Sequence, residues 1–592
     1  MEGDESDSTR FTPWFSALDV SPPEENDIKH TELLRSYIDD ILPLETPDEQ
    51  RARLNLLRDL SEMVNQWVLG KLEAKHVIFD GDGTQAAGMI FVSGSYRLGV
   101  NSKGSDIDTI VTVPRDISRE EFFSEEDGFV SMLRKRSEVS YVNSVTSAKV
   151  PIIEVVWNDI ELDVLCCVIA NSATVPQDPS ELLDDSILFG MDEASMISIN
   201  GPRVTELTVR LVPNIETFKL CLRCIRVWAK NRGLYSNKMG FLGGVNFQIL
   251  VAFVCQLFPT ATPARLLAHF FELYRAWKWP TEIRLCHPYP VSGLDLEQFG
   301  DRRSPGELMP IITPAYPCRN SSYNVSKATL AIMSEEFALA EKVCKGIRRQ
   351  TSESDFSIWA PLFEKTEFFC RYQNYIAVRA TGSDDDALAR WGGWIESRLR
   401  KLVDEVQRFP IRQIYPYPKK FTLERDPLAA YWYIGILRHP IFSERSGHSM
   451  DLSSAVSLWL NNVKRWDTRS EDMEASVSVM QWKDLPDDKE LFPIGKTADK
   501  AKHKKWMQLT TLEQNRIKSQ SEGTKAAPVV EEEEKVIKEE KEEETKMQAM
   551  LGKRIRDGKE ANEALKKVSK ITSLFDLPVV NGIDTTTPFR YI

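Results

Sequence analysis

No uninterrupted apolar run in the chain approaches the roughly 20 residues that a membrane-spanning helix needs, so no membrane span is expected. The first residues, MEGDESDSTR, have neither a basic nor an apolar stretch, and no signal peptide is expected there. Net positive charge is missing as well: 75 Lys and Arg against 88 Asp and Glu leave −13. That balance excludes a generic basic coat for nucleic acid, but not a basic groove on an acidic protein. A second CxxC to accompany Cys221 and Cys224 is also missing, and that pair sits inside a helical pattern. With no histidine cluster nearby, a structural zinc site is not expected. The nine scattered cysteines read as reduced, buried thiols of an intracellular protein. No internal repeat is visible.

What is present exceeds one core: 592 residues imply about three or four domains. A helical pattern opens in TELLRSYIDDILP. A second runs from about Pro47 to Lys75, with apolar positions at Leu54, Leu57, Leu60, Val64, Trp67 and Val68. From Val77 to Ala170 the pattern turns to strands and loops. AGMIFVSG and DIDTIVTVP read as strands, and VPIIEVVWNDIELDVLCCVIA as a hairpin turning at Asn158 and Asp159. Residues 211–350 are helical, with Gly233 placed as a C-cap. Residues 351–500 give a strand at FFCRYQNYIAVRA, then helix, two strands, helix and strand. That is the split-βαβ order of ferredoxin-like and RRM folds. Beyond about Lys496 apolar content falls, and EEEEKVIKEEKEEE is a charge run expected in a solvated tail. The apolar island SKITSLFDLPVV reads equally as a docking peptide or a weakly ordered end.

The chemistry gathers in GSYRLGVNSKGSDIDTI, from Gly94 to Ile110. Alternation along a strand puts Asp106 and Asp108 on one face, roughly 7 Å apart, with Ile107 turned into the core. Asp163 on the later hairpin supplies a third acid. Alone, such carboxylates repel and resist ionisation. Together on neighbouring strands they suit two Mg²⁺ ions, the arrangement of two-metal phosphoryl or nucleotidyl transfer. The bland alternative is that Asp106 and Asp108 merely cap a turn. Gly94 permits close approach of backbone to ligand, and Ser95 starts a short helix.

A GS turn followed by DxD between strands is similar to the signature of the DNA polymerase β nucleotidyltransferase superfamily. The stretch from NGPRVTELTVRL to CQLFP, together with MPIITPAYPCRNSSYNV, resembles the eukaryotic nuclear poly(A) polymerases over about residues 30–500. The resemblance implies an α+β multidomain chain with the following parts: a 1–30 extension, a polymerase β-like catalytic domain at 31–210, a helical middle domain completing the ATP site at 211–350, an RRM/ferredoxin-like RNA-binding domain at 351–500, and a charged, mostly disordered tail at 501–592. It implies addition of AMP from ATP to RNA 3′ ends, with two Mg²⁺ (or Mn²⁺) ions held by Asp106, Asp108 and Asp163. Gly94, Ser95, Ser102, Asn200, Arg226, Tyr235, Asn237, Gly244 and Val245 fall on the ATP pocket. Arg226 stands where the family usually has lysine, and Ser93 where an aromatic is common. Lys230, one helical turn on, reads as a solvated lysine that could assist. Tyr235 by itself also reads as a packing residue at a helix end. A terminal uridylyltransferase, or an inactive RNA-processing scaffold, is the alternative.

Beyond the catalytic core, aromatics and Lys419 and Lys420 in the C-terminal domain suit RNA stacking and phosphate contact as well as they suit a sheet core. Net negative charge predicts modest, salt-sensitive RNA affinity. The basic islands AKHKKW and GKRIRDGKEANEALKKVSK read as nuclear-localisation signals, chiefly through the family. A nuclear, monomeric enzyme is implied. It would meet cleavage and polyadenylation factors through its C-terminal domain or tail.

Overall fold

The computed structural model describes residues 11–521, apart from 80–84, 147, 295, 301–305, 351–354 and 440–450. Two helices lead, α1 (Glu25–Ile41) and α2 (Pro47–Ala74). Helix α2 starts where sequence rules place a start. Pro47 lies in the first turn, and Thr46 and Glu49 cap each other's backbone N–H. Leu57, Leu60, Val64 and Val68 form its buried face, while Leu54 turns outward, 37 % exposed.

The first sheet has the order β1-β2-β5-β4-β3. Its strands are β1 (Met89–Val92), β2 (Ile107–Pro114), β3 (Val139–Val145), β4 (Ile152–Trp157) and β5 (Ile160–Ile169). Only β2 and β5 among these neighbours run parallel. The β4–β5 hairpin turns at Asn158 and Asp159, whose φ values of 48° and 61° suit a two-residue primed turn. Short α3 (Gly94–Arg97) joins β1 to β2. The sequence pattern missed α4 (Arg119–Phe123), α5 (Phe129–Arg134) and β3, which are too short to show a period.

Helices α6 (Glu193–Leu211), α7 (Ile215–Asn231), α8 (Gly244–Leu257), α9 (Pro263–Ala276) and α10 (Lys327–Arg348) follow. From Asn246 to Leu257 every residue of α8 is buried, so this helix is the axis of the helical layer. Gly233, just past α7, has φ of +69°, as its capping role requires.

Short helices α11 (Ala360–Phe363) and α12 (Phe368–Arg371) lead into a second sheet. It has β6 (Asn374–Thr381), β7 (Ile411–Pro416), β8 (Phe421–Leu423), β9 (Asp426–Arg438) and β10 (Glu474–Gln481). Its order is β10-β6-β9-β7, with β8 against β9 and every pair antiparallel. Helices α13 (Asp385–Val406) and α14 (Ser453–Val463) pack together and against this sheet. The split-βαβ order therefore holds, with two differences: the expected strand at Phe368 begins as helix, and β8 is extra. The aromatics that suited RNA stacking are core. Tyr375 and Tyr415 are fully buried and Tyr433 is 1 % exposed. Rings of α12 cover them: Phe368 lies 5.6 Å from Tyr375 and 4.5 Å from Tyr417, centroid to centroid.

The first 21 residues of the tail expected from 501 are helical. Lys496–Ser521 form helix α15, which packs on α12. His503 is buried against the Cys370 carbonyl at 2.9 Å and stacks on Trp482 at 4.2 Å. Its low apolar content hides this helix because only one narrow edge is buried. AKHKKW lies within it, whereas SKITSLFDLPVV, the glutamate run and GKRIRDGKEANEALKKVSK lie outside the described residues. All nine cysteines are buried and free, and no described helix is long and apolar enough to cross a membrane.

Candidate active site

Strand register does what spacing alone cannot. In the parallel β2–β5 pair, Asp108 sits directly beside Asp163. Asp106 ends the loop just before β2, and Ile107 between the two acids is fully buried. One carboxylate oxygen from each of Asp106, Asp108 and Asp163 lies within 4.8 Å of the others, a spacing that suits a divalent cation. Burial first, and then the neighbouring Asp106 charge, pushes Asp108 up to about 6; Arg226 opposes this. Burial, Asp108 and Asp106 push Asp163 up to about 6 as well. The three acids thus concentrate negative charge that a cation would relieve.

Local folding fixes this cluster. Gly94 has φ of +60°, and a Cβ there would lie 2.6 Å from an Asp108 carboxylate oxygen. Only glycine satisfies both conditions. The Ser93 N–H donates to the Asp108 carbonyl at 3.0 Å, tying turn to strand. Before Asp106, the Ser102 N–H donates to Ser105 Oγ at 3.0 Å. Arg53 on α2 donates to the Ser105 carbonyl at 2.7 Å and is itself held by Glu45.

The cluster opens into a cavity of about 990 Å³ between the first sheet and the helical layer. Gly94, Ser95, Ser102, Asp106 and Asp108 line it from the sheet side. Asn200, Arg226, Tyr235, Gly244 and Val245 line it from the helical side. Arg226 gives one N–H to the Val100 carbonyl at 3.2 Å and keeps its charge near Asp108. Lys230 also reaches the cavity, with its Nζ 5.5 Å from the Tyr235 ring centre. Burial first and then Arg226 lower its pKa. Lys230 is exposed, as the solvated reading expects, and also borders the site. Tyr235 does both things the sequence allowed: it lines the cavity and stacks on Phe247 at 5.8 Å. A Cβ on Gly244 would meet the Tyr235 hydroxyl at 2.9 Å.

Two expected residues stand differently. Asp163 belongs to the acid cluster but is not itself on the cavity lining. Asn237 is outside the lining as well. It donates to the Ser321 carbonyl at 3.3 Å and accepts from Asn324 at 2.7 Å, so it braces the wall from behind. Sequence reasoning missed Lys103, Glu161, Gln248 and Arg319, all on the lining. A glutamine inside the apolar run NFQILVAFVCQL was a readable signal for one of them.

Three family models match successive stretches: the poly(A) polymerase nucleotidyltransferase domain at residues 16–212, the central domain at 217–365 and the predicted RNA binding domain at 367–427. A Dictyostelium discoideum protein named poly(A) polymerase is 36 % identical over 79 % of this chain and 58 % of its own length. Nuclear poly(A) polymerase 1 of Arabidopsis thaliana is 38 % identical over 81 % and 66 % respectively. The chain thus spans about three fifths of the length of the curated relatives it matches. Among solved structures, a cytoplasmic RNA terminal U-transferase is similar over 58 % of this chain and 99 % of its own, at 14 % identity and a TM-score of 0.39.

Proposed function

We infer the chemistry of the cavity from one premise: the chain belongs to the poly(A) polymerase family. On that premise we propose template-independent addition of AMP from ATP to RNA 3′ ends. The observation that carries the reading is the Asp108–Asp163 register with Asp106 beside it, opening on a cavity that Arg226 and Lys230 make cationic on its far wall.

Asp106, Asp108 and Asp163 fit a divalent cation, and two Mg²⁺ are the proposed cofactor, with Mn²⁺ as the substitute. Bound there, Mg²⁺ lowers the pKa of the attacking hydroxyl and offsets charge on the phosphate and leaving group. The 3′-oxygen of the RNA forms a bond to the α-phosphorus of ATP. The bond from that phosphorus to the bridging oxygen breaks, pyrophosphate departs, and the hydroxyl proton passes to water. Gly94 and Ser95 are the proposed cradle for the triphosphate, supported by the close approach that Gly94 allows. Arg226 offers a planar cation that can grip phosphate in a bidentate way, and Lys230 adds a point charge. Ser102, Asn200, Tyr235, Gly244 and Val245 are proposed to hold the nucleotide, and Asn237 to act through the wall it braces.

The division into residues 31–210, 211–350 and 351–500 is the proposed functional layout, with RNA taken up by the C-terminal part. The names of the Arabidopsis relatives support a nuclear location. Cleavage and polyadenylation factors are the proposed partners of a monomeric enzyme. Incubation with each of the four nucleoside triphosphates on an oligo(A) primer tests the reaction. Mg²⁺ with ATP should extend the primer and EDTA should stop extension; preference for UTP would overturn the reading.

A further inference from the structure

Two side-chain amides on the cavity wall carry buried polar atoms that no protein group satisfies. Asn200 on α6 has an Oδ1 with no partner, and Gln248 on α8 has an Nε2 with none. Gln248 is 3 % exposed, and both residues line the cavity. Helices α6 and α8 pack on each other, so the two amides come from adjoining walls. Gln248 lies one helical turn beyond Gly244 and Val245, on the face those residues present to the cavity. A buried donor or acceptor left unpaired is costly, and in a substrate cavity the natural partner is the substrate.

One unpaired acceptor and one unpaired donor, on different residues, call for a group that both donates and accepts through a single atom. In a nucleotide that group is a sugar hydroxyl. A base edge instead carries its donors and acceptors on separate atoms. We propose that Gln248 is a specificity-determining residue for ribose: its Nε2 donates to a hydroxyl of the incoming nucleotide's sugar, and that hydroxyl donates to Asn200 Oδ1. This inference rests on the ATP reading of the cavity. It adds a residue for choosing ribonucleotides over deoxyribonucleotides.

The test compares kcat/KM for ATP, 2′-deoxy-ATP, 3′-deoxy-ATP and a triphosphate of purine riboside, which lacks the 6-amino group. It uses wild type, Gln248→Leu and Gln248→Glu. Leucine removes both polar atoms, whereas glutamate keeps the shape, loses the donor and adds a negative charge. Both variants should lower kcat/KM for ATP about tenfold or more. For one of the two deoxy analogues Gln248→Leu should change it less than about twofold, because the missing hydroxyl has already broken the contact. Binding of ATP without primer, followed by calorimetry, should weaken in parallel. Equal losses with ATP and with both deoxy analogues overturn the proposal, as does a loss that vanishes only with purine riboside triphosphate. If wild type transfers no AMP at all, the ATP reading fails. If AMP transfer stands but the sugar dependence does not, only this inference fails.

Discussion

The described residues form two sheets of five strands each, and they spend their polar and aromatic residues in opposite ways. The first leaves the start of β2 facing a cavity, with carboxylates crowded until two of them hold protons up to about pH 6. The second presents a row of tyrosines where an RRM reader would look for RNA, and then buries it. Tyr375 donates to the Phe368 carbonyl at 3.0 Å, and the Tyr415 hydroxyl donates to the Arg232 carbonyl. Arg232 in turn pairs with Glu336 at 2.7 Å, and Glu336 also faces Arg371 of the C-terminal domain. Crowded carboxylates mark the reactive sheet, and hydrogen-bonded buried tyrosines mark the structural one. Residue type alone separates neither.

Asp108→Asn tests the sharpest side of that contrast. AMP transfer should fall by on the order of a thousandfold, since a charge-bearing ligand is lost at the reacting centre. The cation-free protein should melt no lower at pH 7.5, because a crowded buried carboxylate has been removed. Unchanged turnover would put the reacting centre elsewhere.

On the structural sheet, Tyr375→Ala should cost about 3–5 kcal/mol of stability, the usual toll for truncating a large buried ring. A falling melting temperature by calorimetry would register it. At low temperature, oligo(A) affinity of the folded variant should stay within about twofold of wild type. Loss of RNA binding without loss of stability would make that ring a stacking platform after all.

The smallest effect concerns pH. Asp108 and Asp163 titrate above the ordinary carboxyl value of 3.8 in the folded chain. Their contribution to stability is therefore fully present below about pH 4 and lost as pH rises through about 6. A divalent cation should reverse that loss only where the acids are ionised. Mg²⁺ should raise the melting temperature by about 2 °C at pH 7.5 and hardly at all at pH 5. Equal shifts at both pH values would place the bound cation away from these acids.

Much of this was legible without coordinates where local rules suffice. The Asn158–Asp159 turn, the cap at Gly233, and the β-α-β-β-α-β order all follow from short-range patterns that tertiary contacts did not override. Asp106 and Asp108 were legible as a pair because residues two apart in extended chain point the same way, whereas the β2–β5 register is what sets Asp163 beside Asp108. Helix α15 was not, since a single buried edge around His503 leaves almost no hydrophobic signal. Nor was the inward fate of Tyr375 and Tyr415, because an alternating strand shows two faces and does not say what covers each. Asn237 matched the expected pocket by position, yet its amide is spent on Ser321 and Asn324. The sequence alone determined most of the longer strands and helices and the two-residue spacing of Asp106 and Asp108, because those depend on neighbours a few residues away. Only the tertiary structure decided which polar groups stay unpaired, Gln248 and Asn200 among them, because pairing depends on what distant segments bring alongside.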